Sequence, residues 1–504
     1  MMQTPLKEKL FNLSLKSLGL LFCLLLCILL QSSSTHYSPL LRHYLLQEEL
    51  RSSYQGLWPA AKEGSEVALD ALARLAEVNE DEYWLEKAAS LDSLYAQLAL
   101  ARLSEAKEQI YWWQQAANNG HGPSQFELSL TVQSTQERIR YLEQAALNEH
   151  VPAIIALSKY YYEENDVNNA LRWLGKASQY DHTNMFRLAK MLWRQGSYYE
   201  ATETFKRASI QDPIAKTYSD TLDTTPQQSL SILSETSLPL NEECAQQLQF
   251  VANSLDSAVQ ANDFKAKFEQ DARLAKLPIC IKPLVWLAKD ELSCKLVDHR
   301  NMCDLSKIAK RSFSPDYTHL VFFLNEGKAY VQNGVMYLDE ADPYSVFVHE
   351  LAHFVGFVDE YAVSSDLASQ YCYESNAPNL LLSSDENFYD DATFKMWQGY
   401  HSALLEQNIA RTADMPDAQE TIIQSSLQVG QSRTCASLDE KSYKPSRKLT
   451  FLQYHDTNYI PAIYLMMWQD LLQKHYHSIA VSVAFREQAK LIGNETAAAY
   501  WAKF

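Results

Sequence analysis

One spacing restricts the fold of this chain more than any other feature. Tyr83-Trp84-Leu85-Glu86-Lys87-Ala88-Ala89 is echoed by Tyr111-Trp112-Trp113-Gln114-Gln115-Ala116-Ala117 and by Arg140-Tyr141-Leu142-Glu143-Gln144-Ala145-Ala146. It returns as Arg172-Trp173-Leu174-Gly175-Lys176-Ala177-Ser178 and, more weakly, as Thr204-Phe205-Lys206-Arg207-Ala208-Ser209. From Ala88 the steps to Ala116, Ala145, Ala177 and Ala208 are 28, 29, 32 and 31 residues. Trp58-Pro59-Ala60-Ala61 is placed to begin an earlier copy. Each unit has room for two short helices and a turn. The aromatic ring fills space between units, and the small alanine lets helices approach. The expectation is an all-α helical-repeat solenoid over 58–220, with a non-repeating helical bundle as the alternative. Concave solenoid faces hold protein segments, so a protein partner is expected there, and the tryptophans and tyrosines read as packing.

The second half carries a different signal. His349-Glu350-Leu351-Ala352-His353 puts two histidines four apart, on one face of a helix and one turn apart, where both imidazoles can reach one metal ion. Glu350 between them is placed to take a proton from a metal-bound water. Asp342-Pro343 reads as an N-cap acid and a proline at the first helical position. The mostly apolar run around the motif predicts a buried helix, whose polar groups need partners that a metal supplies. Were the helix to continue, Asp359 would lie about 15 Å beyond His349. Gly356 can end the helix in a left-handed conformation and turn Asp359 back to the site. Two histidines and a carboxylate leave a fourth position for water, as catalytic zinc requires. Glu360 is the competing third ligand.

This stretch, H-E-x-x-H-x-x-G-x-x-D, resembles the metzincin zinc endopeptidases. Asp359-Glu360-Tyr361 is also loosely similar to the immunoglobulin-A-peptidase-like metallopeptidases. The resemblance implies an α+β zinc peptidase domain, with Zn2+ on His349, His353 and Asp359 and Glu350 as general base. It further implies a turn beneath the metal, for which Thr450-Phe451-Leu452-Gln453-Tyr454-His455 is the candidate, with Leu452 where the family has methionine. Tyr454 would then hydrogen-bond the oxyanion, with His455 a weaker candidate. The repeats, for their part, resemble the Sel1-like and tetratricopeptide types.

The chain is thus expected to be multidomain, an all-α solenoid followed by an α+β metzincin-like peptidase. Polar, turn-forming residues at 221–228 mark a boundary, and 221–276 reads as a helical bridge. The peptidase domain is expected over 277–477 and a C-terminal helix over 478–504. Tyr317–Leu324 has the length and composition of a strand. Asn333-Gly334, between Ala329–Gln332 and Val335–Leu338, is a hairpin signal. An edge strand there could take an extended peptide by strand addition. The polar segments 364–391 and 414–443 could shape the cleft.

Lys7, Lys9 and Lys16 precede an apolar run at 18–30, closed by Gln31-Ser32-Ser33-Ser34. That layout, over 1–34, is a secretory signal or an uncleaved anchor, with export to the periplasm or exterior. Only the anchor would involve a membrane. Six cysteines follow, all in the second half, and an even number in an exported domain suggests disulfides, with Cys294–Cys303 and Cys372–Cys435 paired by proximity. Scattered free cysteines are the alternative. A formal charge of -18 argues against nucleic acid. The expected function is an exported zinc endopeptidase acting on a protein or peptide substrate. The rival is a non-catalytic scaffold in which the solenoid binds partners.

Overall fold

The computed structural model describes residues 53–235, 243–288, 290–309, 317–374, 377–383, 391–414, 426–474 and 480–503. The expected signal or anchor at 1–34 lies outside the described residues. The chain divides into two compact units, Met1–Asp212 and Pro213–Phe504.

In the first unit, eleven described helices follow one another, from α1 (Tyr54–Lys62) through α11 (Tyr198–Ala208). Many start on a polar cap: the side chains of Ser65, Asp81, Ser93, Ser134 and Asp166 each accept a backbone N–H of the first turn. Consecutive helices pack on each other, giving a helical repeat region. The repeat alanines Ala88, Ala116, Ala145, Ala177 and Ala208 are all fully buried, as close helix approach demands. A polar ladder joins successive repeats. Asn119 donates to Gln97 at 3.2 Å, Asn148 to Gln125 at 2.9 Å, and Ser158 to Asn184 at 3.2 Å. These bonds, one of them buried, fix the register that apolar packing alone leaves loose.

The second unit begins earlier than the sequence suggests. Helix α12 (Pro213–Thr224) packs on α13 (Leu255–Gln270), and the Tyr218 hydroxyl donates to Asp256. Residues 213–220, expected in the solenoid, therefore belong to the second unit. The helical bridge expected at 221–276 is likewise corrected. It holds α13, but also β1 (Gln227–Gln228) and β2 (Gln246–Ala252), a strand at the heart of a seven-stranded sheet.

With β3 (Ile279–Ile281), β4 (Val285–Leu287), β7 (His319–Leu324), β8 (Tyr330–Gln332) and β9 (Val335–Asp339), the sheet runs β1-β4-β2-β7-β9-β8, and β3 pairs with β2. The β8–β9 pair is antiparallel and the others are parallel. The expected hairpin forms at Asn333-Gly334, whose positive φ of 51° and 77° suits the tight turn. A second hairpin, β5 (Cys294–Val297) and β6 (Arg300–Cys303), is closed by a Cys294–Cys303 disulfide.

Side chains of β7 alternate between two buried faces. Leu320 and Phe322 pack with Leu287, Tyr337, Val481, Phe485 and Trp501. The stretch expected as one C-terminal helix, 478–504, is in fact two, Val481–Leu491 and Glu495–Trp501, and it completes this core. On the other face, Phe323 meets Phe250 and Phe264, and Phe347 stacks edge-on to Phe250 and Phe268. That aromatic layer seats the helix α14 (Tyr344–His353). A small sheet of β10 (Leu381–Leu382), β11 (Gly430–Ser432) and β12 (Ser442–Lys444) lies beyond it. The disulfides Cys372–Cys435 and Cys244–Cys280 accompany these elements. Two of the three bridges are those expected from proximity. No helix among the described residues is long and apolar enough to cross a membrane.

Candidate metal centre

Helix α14 places the motif. Val346, Phe347, Val348, Leu351 and Ala352 are buried, which fixes the helix rotation and aims His349, Glu350 and His353 into one common space. The start differs by one residue from expectation. Pro343 is the N-cap, and Asp342 instead accepts the Asp339 N–H at 2.8 Å. Burial raises the Asp342 carboxyl to about 6, with Asp339 and Glu350 adding their negative charge.

After His353 the chain tightens into successive turns, ending at Gly356 with φ +84°. A left-handed residue here reverses the chain, and Phe357 plugs in against Tyr464 and Trp468. Asn379 clamps both backbone groups of Val358 at 2.9 Å. Asp359 returns to the histidines: its Oδ1 lies 3.0 Å from His349 Nε2 and 3.4 Å from His353 Nε2.

The imidazoles are oriented from behind. His349 Nδ1 meets the Phe451 carbonyl and His353 Nδ1 the Phe357 carbonyl, both at 2.8 Å. A carbonyl only accepts, so each Nδ1 carries a proton and each Nε2 is the atom offered to the site. The two Nε2 atoms are 3.3 Å apart. Two lone pairs and a carboxylate oxygen facing one another repel unless a cation lies among them. An ion held tetrahedrally at about 2.0–2.1 Å sets its ligand atoms about 3.3–3.4 Å apart. The observed triangle of 3.0, 3.3 and 3.4 Å fits that ion, so these residues suit zinc.

The same triangle explains the local electrostatics. Burial opposes charge on His353, yet the Asp359 carboxylate raises it to about 9. Burial likewise opposes charge on Asp359, but the two histidines hold it well below the usual carboxylate range. A proton thus does part of the work that a metal would do.

Glu350 is nearly buried, at 7% exposure, and its carboxylate accepts no protein hydrogen bond among the described residues. His353 Nε2 lies 3.9 Å from its Oε2. Burial raises its pKa, against the pull of both histidines. A buried acid without a protein donor, aimed at three ligand atoms, suits proton transfer with a water.

Glu360 stands apart from the metal triangle. It is fully buried and takes bonds from Asn379 and Tyr464 on one oxygen and from Lys444 and Thr450 on the other. Lys444, also buried, binds Gln453 and the Lys448 carbonyl as well. The Glu360 N–H donates to Leu452 at 3.0 Å. These bonds pin the turn that follows Asp359 to the turn at Thr450–Tyr454, in which Gln453 and Tyr454 donate to Thr450. That turn carries the Phe451 carbonyl to His349, and Leu452 is fully buried.

Tyr454 is 57% exposed, its ring stacked on His455, and no contact among the described residues joins it to the triangle. Tyr361 stands there instead. Its ring lies parallel to His349 with centroids 6.3 Å apart, and the Asp359 carboxylate is near enough to act on its hydroxyl. Burial raises the Tyr361 phenol, and Asp359 raises it further, which keeps it a proton donor. Tyr371, on a π-helical turn at Gln370–Glu374, is raised by burial and by the Asp359 and Glu350 charges. Sequence reasoning missed both phenols, although Tyr361 is adjacent to the Asp-Glu pair.

No family model and no curated protein matches the chain. Among solved structures, a Sel1 repeat protein from Oxalobacter formigenes is similar at 18% identity, over 34% of this chain and 86% of that one, with a TM-score of 0.24.

Proposed function

We propose that the chain is an exported zinc-dependent endopeptidase whose helical repeats engage a protein. The observation that carries this reading is the pairing of a three-atom ligand triangle with a buried carboxylate, Glu350, that has no donor among the described residues. A structural zinc site closes with four protein ligands and has no use for such an acid. Three disulfides in the second unit support export.

His349, His353 and Asp359 would hold the ion. Zinc, when bound, supplies Lewis acidity toward the attacking water and the scissile carbonyl. Glu350 takes the proton of the attacking water and returns it to the leaving amine. Its raised pKa suits it to both halves of that exchange. Tyr361 is the phenol positioned to donate to the carbonyl oxygen as negative charge develops there, in place of the Tyr454 expected from sequence.

The test joins metal analysis with digestion of a peptide library by wild type and Glu350→Gln. The expected outcome is one zinc in each and a rate about 10²–10⁴-fold lower in the variant. Equal cleavage by both would remove the base from the mechanism. Zinc-free protein that captures a partner through its repeats would favour the scaffold.

A further inference from the structure

The wall beside the edge strand β8 carries two cations that have no acidic partner among the described residues. Arg300, on β6, sets its guanidinium 5.4 Å from the ring centre of Tyr330, the first residue of β8. Lys328 lies two residues before Tyr330, and its N–H donates to the His299 carbonyl at 2.6 Å. The seam between hairpin and strand is close-packed. Gly327 has φ +137°, a conformation strained for other residues, and a Cβ there would fall 2.2 Å from the Asn301 side-chain nitrogen, so glycine suits the seam. Asn301 donates to the Glu326 carbonyl, and the Tyr330 hydroxyl donates to the Asn301 carbonyl. The Cys294–Cys303 bridge ties the base of that hairpin. Both cations therefore stand on a fixed frame.

That frame borders the metal helix, because β8 packs on α14. Both side chains are exposed, and among the described residues neither has an acidic partner. The chain has 62 acidic residues to 44 basic ones, so two exposed cations with no acidic partner among the described residues, beside the last strand of the sheet, are out of keeping with its surface. Complementarity then points to an anionic ligand.

We propose that Arg300 and Lys328 make this cleft select extended peptides bearing an acidic side chain near the scissile bond. The inference rests on the peptidase reading. A peptide added to β8 presents alternate side chains to one side, about 6–7 Å apart. Arg300 can grip a carboxylate through two parallel N–H bonds, and Lys328 attracts it as a point charge.

The test uses zinc-loaded full-length protein and one neutral extended peptide, into which a single Glu, Gln or Lys is placed at each position around the cut. Wild type should favour Glu over Gln over Lys by about fivefold per step, shrinking with added salt. Arg300→Glu with Lys328→Glu should invert that order, and Arg300→Gln with Lys328→Gln should flatten it. Equal cleavage of the three series, or an unchanged order in the reversed variant, overturns the inference. A second arm measures binding of fluorescent Glu and Lys peptides to zinc-loaded Glu350→Gln. If wild type cleaves nothing, the peptidase reading fails, and this arm still decides selectivity. Equal affinity for the two peptides overturns the selectivity.

Discussion

Replacing Glu360 separates the two carboxylates that follow the metal helix. In the native structure Glu360 takes four side-chain bonds, and its partner Lys444 has 2% of its side chain exposed. Glu360→Gln removes the charge that compensates Lys444 and turns one acceptor into a donor facing Lys444 or Thr450. Breaking a buried pair from one side costs about 3–5 kcal/mol. A typical domain has only about 5–15 kcal/mol in all. Replacing both partners, Glu360→Met with Lys444→Met, removes the stranded charge, so the double variant should be at least about 2 kcal/mol more stable than the two single effects predict. The assay is urea unfolding of full-length protein with a chelator, followed by tryptophan fluorescence, beside zinc content of the folded fraction. Glu360→Gln should unfold far earlier yet bind one zinc while folded. Asp359→Asn should keep its stability within about 1–2 kcal/mol. It should lose zinc affinity by more than the roughly 100-fold that marks loss of an outer contact. If folded Glu360→Gln loses its zinc as Asp359→Asn does, or costs less than about 1 kcal/mol, the division of labour argued here is refuted.

Two further outcomes follow from the site. Tyr361→Phe should lower kcat by about 10²-fold with little change in KM, whereas Tyr454→Phe should stay within about threefold, and steady-state kinetics of both variants tells them apart. Asp342 is raised to about 6, above its usual value, so its ionisation destabilises the fold by an amount that is small near pH 4 and reaches its full size above pH 6. Asp342→Asn keeps the acceptor for the Asp339 N–H, and thermal melts should show it stabilised by about 1 kcal/mol at pH 7, after allowance for partial solvation, and unchanged near pH 4.

Helix α14 and the Asn333-Gly334 hairpin were legible because their signals are local. The repeats were legible through their period. β2 was not: it is buried along its whole length, but Gln246, Gln247 and Gln249 interrupt the apolar run by which a central parallel strand is read. The Gln249 amide is instead satisfied by the Pro283 carbonyl at 2.8 Å, a partner no local pattern reveals. Glu360 could not be told from Asp359 in sequence, since its donors lie 19 to 104 residues away. The choice of phenol failed for a related reason. Tyr361 reaches the triangle only because Gly356 reverses the chain, and Tyr454 leaves it because its turn points the ring outward. Cysteine proximity found two bridges, while Cys244–Cys280 depends on β2 and β3 lying side by side.

The carbonyl that orients His349 belongs to Phe451, 102 residues further along the chain. A polypeptide emerging from the ribosome, or threading through a membrane pore, delivers its beginning first. The two histidines would then be out long before their backing arrives, and Lys444, Thr450 and Tyr464, which lock the Asp359 turn, arrive as late. The order of synthesis thus acts as a timer: the triangle is completed only when most of the chain has been made.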